Sequence, residues 1–121
     1  MKFSEFRKTY LTPFGKTEHI WTKEGYIVWR LGTGGNAELL HIRSFIKGKG
    51  IGRKLVKAML LKLKTNPPYY SVYGFTREAN ENAIAFYRAL GFHVEITDSP
   101  YKKGRAVLFS QSYKVLLRKL G

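Results

Sequence analysis

The chain of 121 residues contains no cysteine. That excludes a disulfide framework, a thiolate nucleophile and a cysteine-ligated zinc. Acids are scarce: 8 Asp and Glu stand against 22 Lys and Arg, for a formal net charge of +14. The three histidines, His19, His41 and His93, show no metal-ligand spacing. Long hydrophobic runs are missing as well. Met59-Leu60-Leu61 falls far short of the roughly 20 apolar residues that a membrane helix needs. Lys2 is followed by no apolar leader core. The expectation is a cytoplasmic protein with no membrane partner. Repeats, low-complexity tracts and linkers are also missing, so residues 1–121 read as one domain. A hydrophobic content of 44% is enough for a core and argues against disorder.

The charge is unevenly laid out. No acid lies between Glu38 and Glu78, where Arg43, Lys47, Lys49, Arg53, Lys54, Lys57, Lys62, Lys64 and Arg77 fall. After Asp98 the chain carries Lys102, Lys103, Arg105, Lys114, Arg118 and Lys119 and again no acid. Such a field concentrates anions. It suits a nucleic acid or ribonucleoprotein partner, and equally a plain solvated surface.

Hydrophobic periodicity orders the chain. In the segment 1–17, Phe3, Phe6 and Tyr10 form one helical face, stopped by Pro13-Phe14-Gly15. His19–Trp21, Tyr26–Leu31 and Ala37–Phe45 read as strands of an antiparallel meander, with turns at Glu24-Gly25 and Gly32–Asn36. From Gly50 the period changes. Ile51, Leu55, Val56, Met59, Leu60 and Leu63 recur at helical spacing, with Asn66-Pro67-Pro68 as the stop. Tyr69–Phe75 reads as a strand, Glu81–Leu90 as a helix capped by Gly91, and Phe92–Ile96 as a strand. A strand, a crossover helix and a strand imply a parallel pair. Residues 18–97 therefore form a mixed α/β (α+β) core. Residues 98–121 read as a hairpin or strand: Arg105–Leu120 is either one long final strand, or a strand ending near Ser110 and then a short amphipathic helix, with strand favoured for at least part of Val107–Leu117.

The richest stretch is Ile46-Lys47-Gly48-Lys49-Gly50-Ile51-Gly52-Arg53. A strand, a glycine-rich turn and a helix start make an anion site, because the first helix amides lack acceptors and the dipole there is positive. The loop does not end in the lysine-serine or lysine-threonine of nucleoside-triphosphate loops, and the dinucleotide fingerprint also fails. Downstream runs Asn80-Glu81-Asn82-Ala83-Ile84-Ala85-Phe86-Tyr87-Arg88-Ala89-Leu90-Gly91-Phe92.

Taken together, Lys47-x-x-Gly50-x-Gly52 and Asn80-x-x-Ala83-x-x-x-Tyr87-x-x-x-Gly91-Phe92 resemble the GNAT superfamily of acyl-CoA-dependent N-acyltransferases, across about residues 25 to 97. The resemblance implies a mixed, mostly antiparallel sheet with a central splayed parallel pair and flanking helices. It implies acetyl-CoA, or another acyl-CoA, as cofactor. Amides around Lys49, Gly50, Ile51, Gly52 and Arg53, beside Lys47, would hold the pyrophosphate. The strand edge at His41, Ile42 and Arg43 would pair with the pantetheine. Asn80 would contact the pantetheine arm, and Tyr87 would aim its hydroxyl at the sulfur as general acid. Direct attack by an amine needs no cysteine or serine. Glu38 is the preferred general base on this reading, with His41 beside it, a water relay as an equal alternative, and Glu95 and Asp98 as outside candidates. On the residues alone, Tyr87 reads first as a core aromatic and each carboxylate first as a surface charge, while Asn80 is equally a helix N-cap.

Two departures matter. Lys47 replaces the usual Arg or Gln, and few residues precede the Tyr26 strand, so the acceptor side is expected to be open or completed by another subunit in a homodimer. An open cationic mouth favours a macromolecular amine acceptor, on a protein, a ribosomal component or a nucleic acid. A polyamine is disfavoured by like charge. The alternative reading is a module of the same fold that binds nucleic acid and transfers nothing.

Overall fold

The computed structural model describes residues 2–11, 14–63 and 71–120. The expected stops at Pro13 and at Asn66-Pro67-Pro68, and the strand start at Tyr69, lie outside the described residues. The chain opens with a short helix α1 (Phe3–Phe6) that continues as a π-helical turn over Arg7–Leu11. Then come β1 (Glu18–Trp21), β2 (Gly25–Leu31), β3 (Ala37–Ser44), α2 (Ile51–Leu63), β4 (Ser71–Thr76), α3 (Glu81–Leu90), β5 (His93–Asp98), β6 (Arg105–Ser112) and α4 (Tyr113–Leu120). No described helix is long and apolar enough to cross a membrane.

The six strands form one sheet in the order β1-β2-β3-β4-β6-β5. Only β3 and β4 run parallel. One face carries α2, α3 and α4, whose buried Leu55, Val56, Met59, Tyr87 and Leu116 join Ile27, Trp29, Leu39, Val72 and Phe109 of the strands in the main core. All six periodic apolar residues of α2 are buried, with the cations of that helix opposite. The other face is covered at one end by the N-terminal helical segment, where Phe6 and Leu11 pack on Tyr26 and Val28. Strand alternation explains the partition: odd residues of β2 feed one cluster and even residues the other.

The parallel pair is short. β3 meets β4 only at Ala37↔Val72 and Glu38↔Tyr73. Beyond that point β3 stays paired with β2 as far as Ser44, and β4 with β6 as far as Thr76. The sheet thus forks, each half keeping its own ladder. Gly74 sits at the apex. A Cβ there would lie 2.7 Å from the Leu39 carbonyl oxygen and would collide with the Phe109 ring. β3 carries a second irregularity, a bulge: Val28 faces His41 and Trp29 faces Leu39, so Leu40 is extra.

At the C-terminus the structure takes the strand-then-helix alternative, in place of a hairpin or one continuous strand. The strand ends at Ser112, and Tyr113–Leu120 is helical, not strand. Tyr113, Leu116 and Leu120 are buried at helical spacing. The Ser112 hydroxyl accepts from the Val115 amide at 3.3 Å, and the Tyr113 hydroxyl donates to the Leu60 carbonyl at 3.1 Å. Thermal unfolding tests the apex: Gly74→Ala should destabilise the fold by about 1–3 kcal/mol, the usual range for overpacking. An unchanged melting temperature would show that the apex has room to spare.

Candidate active site

The loop between β3 and α2 turns on two left-handed glycines, Gly48 (φ 74°) and Gly50 (φ 67°). Nothing lies within 4 Å of where a side chain on either would begin, so the space above the loop is open. The Lys54 amide donates to the Gly50 carbonyl at 3.1 Å, which makes Gly50 the residue at the helix threshold. The next three amides, of Ile51, Gly52 and Arg53, find no intrahelical acceptor and none elsewhere among the described residues. They form a cradle for an anion, strengthened by the helix dipole. Gly52 is small for a separate reason. A Cβ there would lie 2.8 Å from the Phe86 ring of α3, so this glycine lets two helices close on each other. The Arg53 guanidinium is drawn aside and donates to the Lys119 carbonyl at 3.3 Å.

From this loop a cleft of about 710 Å³ runs along the fork to α3. Of the residues expected for cofactor contact, His41, Ile42, Arg43, Lys47, Gly50, Ile51, Gly52, Arg53, Asn80 and Tyr87 all line it. Lys49 does not; it stands exposed on the loop between the lining residues Gly48 and Gly50. Leu40, Phe75, Thr76 and Phe86 are among the other residues of its walls. Sequence reasoning missed these four: Leu40 and Phe86 read as core residues of their strand and helix, and only the fork brings Phe75 and Thr76 of β4 to the cleft.

Asn80 caps α3: its Oδ1 accepts from the Ala83 amide at 3.1 Å. The cap role read from the residues alone holds, and the side-chain NH₂ is left over for the cleft it lines. Tyr87 is 6% exposed, stacked on Phe109 at 3.6 Å between ring centroids and edge-on to Phe92. So the core reading of its ring holds too. Its hydroxyl, however, has no hydrogen-bond partner among the described residues and is not sealed from solvent. Burial pushes this phenol well above the usual tyrosine range.

The expected base does not fit its place. Glu38 is 2% exposed and lies outside the cleft lining, at the still-paired end of β3. Arg30 Nε donates to its Oε1 at 2.9 Å, and the Tyr101 hydroxyl donates to its Oε2. Arg30 also donates to the Phe14 carbonyl at 3.1 Å and to the Tyr101 oxygen at 3.2 Å. With burial opposing it, the pairing with Glu38 still raises the Arg30 guanidinium. Burial first, then Glu38, pushes the Tyr101 phenol up to about 12. Glu38 thus anchors the β5–β6 loop across the sheet. Glu95 and Asp98 lie on the outer strand β5, away from the fork.

His41 is better placed. The Leu40 bulge shifts the alternation, so Glu38 and His41 face the same side, and the imidazole meets the Phe6 ring edge-on at 5.5 Å. It lines both the cleft and a second, aromatic cavity, with no hydrogen-bond partner among the described residues. Burial lowers its pKa from the ordinary 6.5, so it is neutral at pH 7.

A parallel fork with a helix start at its mouth defines a class, and comparison with known proteins agrees. The model of the acetyltransferase (GNAT) family matches residues 6–92, most of the chain. The chain belongs to that family, as the two motifs implied. Among solved structures, a Bacillus subtilis acetyltransferase in complex with CoA is 16% identical, with a TM-score of 0.66 over 89% of this chain and 82% of that one. The ribosomal-protein-S18-alanine N-acetyltransferase of Escherichia coli is 18% identical, at 0.64 over 88% and 76%. Arabidopsis thaliana Naa50, solved with a bisubstrate analogue, is 23% identical, at 0.57 over 73% and 64%. At these identities the likeness is one of fold. No curated protein matches the sequence at a significant level.

The cradle generates a test. Gly50→Glu puts a carboxylate and a side chain in a left-handed position of the anion loop. Calorimetry should show coenzyme A binding abolished, with the fold intact by circular dichroism. Affinity within about threefold of wild type would remove the loop from the site.

Proposed function

We propose that this domain transfers an acyl group, acetyl in the simplest case, from acyl-coenzyme A to a primary amine. One observation carries the reading. β3 and β4 part after two residue pairs, which sets an unpaired strand edge, an acceptor-free helix start and the Tyr87 hydroxyl around a single cleft. The residues fit coenzyme A. The amides of Ile51, Gly52 and Arg53 suit a diphosphate, and the β3 edge from His41 to Arg43 suits the pantetheine amides, as an added strand would. When bound, acyl-coenzyme A supplies an activated thioester whose acyl carbon an amine attacks, with loss of a thiolate.

The chain's own groups then have three tasks. Backbone amides near Ile42, at the open edge of β3, stabilise negative charge on the acyl oxygen. Tyr87 donates a hydrogen bond to the departing sulfur. Burial raises the Tyr87 phenol well above the usual tyrosine range, so it is a weaker acid than an alkyl thiol and the proton stays largely on the phenol. Tyr87 therefore steadies the thiolate rather than protonating it fully. The neutral His41 imidazole accepts the proton that the amine nitrogen sheds as it bonds to carbon. Glu38, with both oxygens engaged, positions the β5–β6 loop beside Phe14 and Phe75.

The cations around the mouth favour an acceptor that is neutral or anionic overall. An amine carried by a larger molecule meets that condition, while a free polyamine does not.

Kinetics separate the roles. Tyr87→Phe should lower kcat by about 100-fold, the low end for losing one hydrogen-bond donor to developing charge, and leave coenzyme A affinity unchanged. Unchanged turnover would dismiss the sulfur contact. In the wild type kcat/KM should rise with pH through a midpoint below 6.5, because the lowered His41 must lose its proton before it can accept one. His41→Gln should erase that limb and keep any higher limb that belongs to the acceptor ammonium. Glu38→Gln should keep the limb and lower the melting temperature instead. The reverse pattern would return the base role to Glu38.

A further inference from the structure

Beyond the cleft, the face of the sheet opposite α2 holds a cavity of about 380 Å³. Five aromatic rings line it: Phe6 and Tyr10 from the N-terminal helical segment, Trp21 from β1, Tyr26 from β2, and Phe45 just past β3. Trp21 and Tyr26 stack at 4.5 Å and 13°, giving a flat wall. Tyr10 and Phe45 are each 48% exposed, so two more rings stand open at the rim. The remaining lining residues are His41 and Arg43, and both also line the cleft. The two cavities are therefore neighbours across β3.

The chemistry of this second cavity is selective. No carboxylate lines it, and the nearby Glu5 and Glu24 stay outside the lining. An ammonium would meet the Arg43 guanidinium and no counter-charge. The Arg43 guanidinium sits 5.7 Å from the Phe45 ring centre, ready to face an anion at the rim. Burial keeps the His41 imidazole neutral there. The volume suits a small planar group rather than a folded surface. Exposed Lys47 and Lys49 continue the positive strip from Arg43 toward the loop. Rings for stacking beside a cationic track are the equipment of single-strand recognition, in which each stacked base contributes about 1–3 kcal/mol.

We propose that this aromatic cavity receives an unpaired nucleobase of a single-stranded nucleic acid, whose phosphates run along Arg43 and the loop lysines. The inference rests on the acyltransferase reading for its consequence, that the acceptor amine is carried by a nucleic acid. The binding itself stands apart from that reading.

Trp21 reports directly, since it lines the cavity half-buried, while the second tryptophan, Trp29, is sealed in the main core. Unlabelled single-stranded RNA of about a dozen nucleotides, within the usual site size, is titrated into the full chain while tryptophan fluorescence is followed. DNA of the same length and an acidic peptide form the other arms. Quenching by RNA, DNA or both is expected, with affinity falling steeply as salt rises. Which of the two quenches more strongly identifies the source of the base. The double variant Tyr10→Ala/Phe45→Ala, at two exposed positions, should weaken binding by about tenfold or more. Its melting temperature and coenzyme A affinity should stay unchanged. Arg43→Ser should reduce the salt slope by about one. No quenching at low salt, equal quenching by the acidic peptide, or full affinity in the double variant would each overturn the proposal. Loss of coenzyme A binding with stacking retained would instead strike the acyltransferase reading alone.

Discussion

Two parallel strands that pair over only two residue pairs and then separate set every other feature of this molecule. A sheet normally continues its ladder, since each unpaired backbone group that is buried costs free energy. Here the two halves of the sheet are each satisfied by an outer neighbour, β2 for β3 and β6 for β4. The inner edges are left facing a gap. What fills that gap must offer amides and carbonyls of its own and be no wider than an extended chain. The pantetheine arm of coenzyme A has that shape. The adjoining helix start, with three amides lacking acceptors, then falls at the right end to take the diphosphate.

The glycines divide the work. Gly48 and Gly50 are left-handed and open to the ligand side, Gly52 yields to the Phe86 ring, and Gly74 yields to the Leu39 carbonyl and Phe109. A motif that looks like one phosphate-binding signature therefore combines turn geometry with helix packing. The polar residues divide likewise. The Arg30–Glu38–Tyr101 cluster ties the β5–β6 loop to the meander, while His41, two strand positions beyond the paired end and turned by the Leu40 bulge, reaches the cleft. One extra residue in a strand decides which titratable group meets the substrate.

Much of this was legible in the sequence. The apolar spacing of α2, the capping pair Asn80 and Gly91 around α3, and the strand–loop–helix order around Gly50 are local signals, and the structure keeps them. What stayed hidden was non-local or compensated. Nothing in the pattern of Ala37–Phe45 announces the bulge, because Leu40 and His41 satisfy either face. Tyr101 reaches Glu38 from 63 residues away, a contact that only the folded sheet creates. The end of β6 stayed open between a long strand and a strand with a short helix, because Val107 and Phe109 alternate as a strand should while the residues beyond fit either period. The features that decide for the helix are Ser112 as a cap, then Tyr113, Leu116 and Leu120 at helical spacing with cations between them.

If the amides at the start of α2 hold the diphosphate, their hydrogens should exchange slowly only when the nucleotide is there. Amide hydrogen exchange of the whole chain, with and without saturating coenzyme A, tests this residue by residue. Ile51, Gly52 and Arg53 should move from fast exchange to strong protection, together with Ile42, whose amide faces the inner edge of β3 while those of its neighbours His41 and Arg43 face β2. Exchange at these four positions that stays fast while coenzyme A is bound would contradict the account.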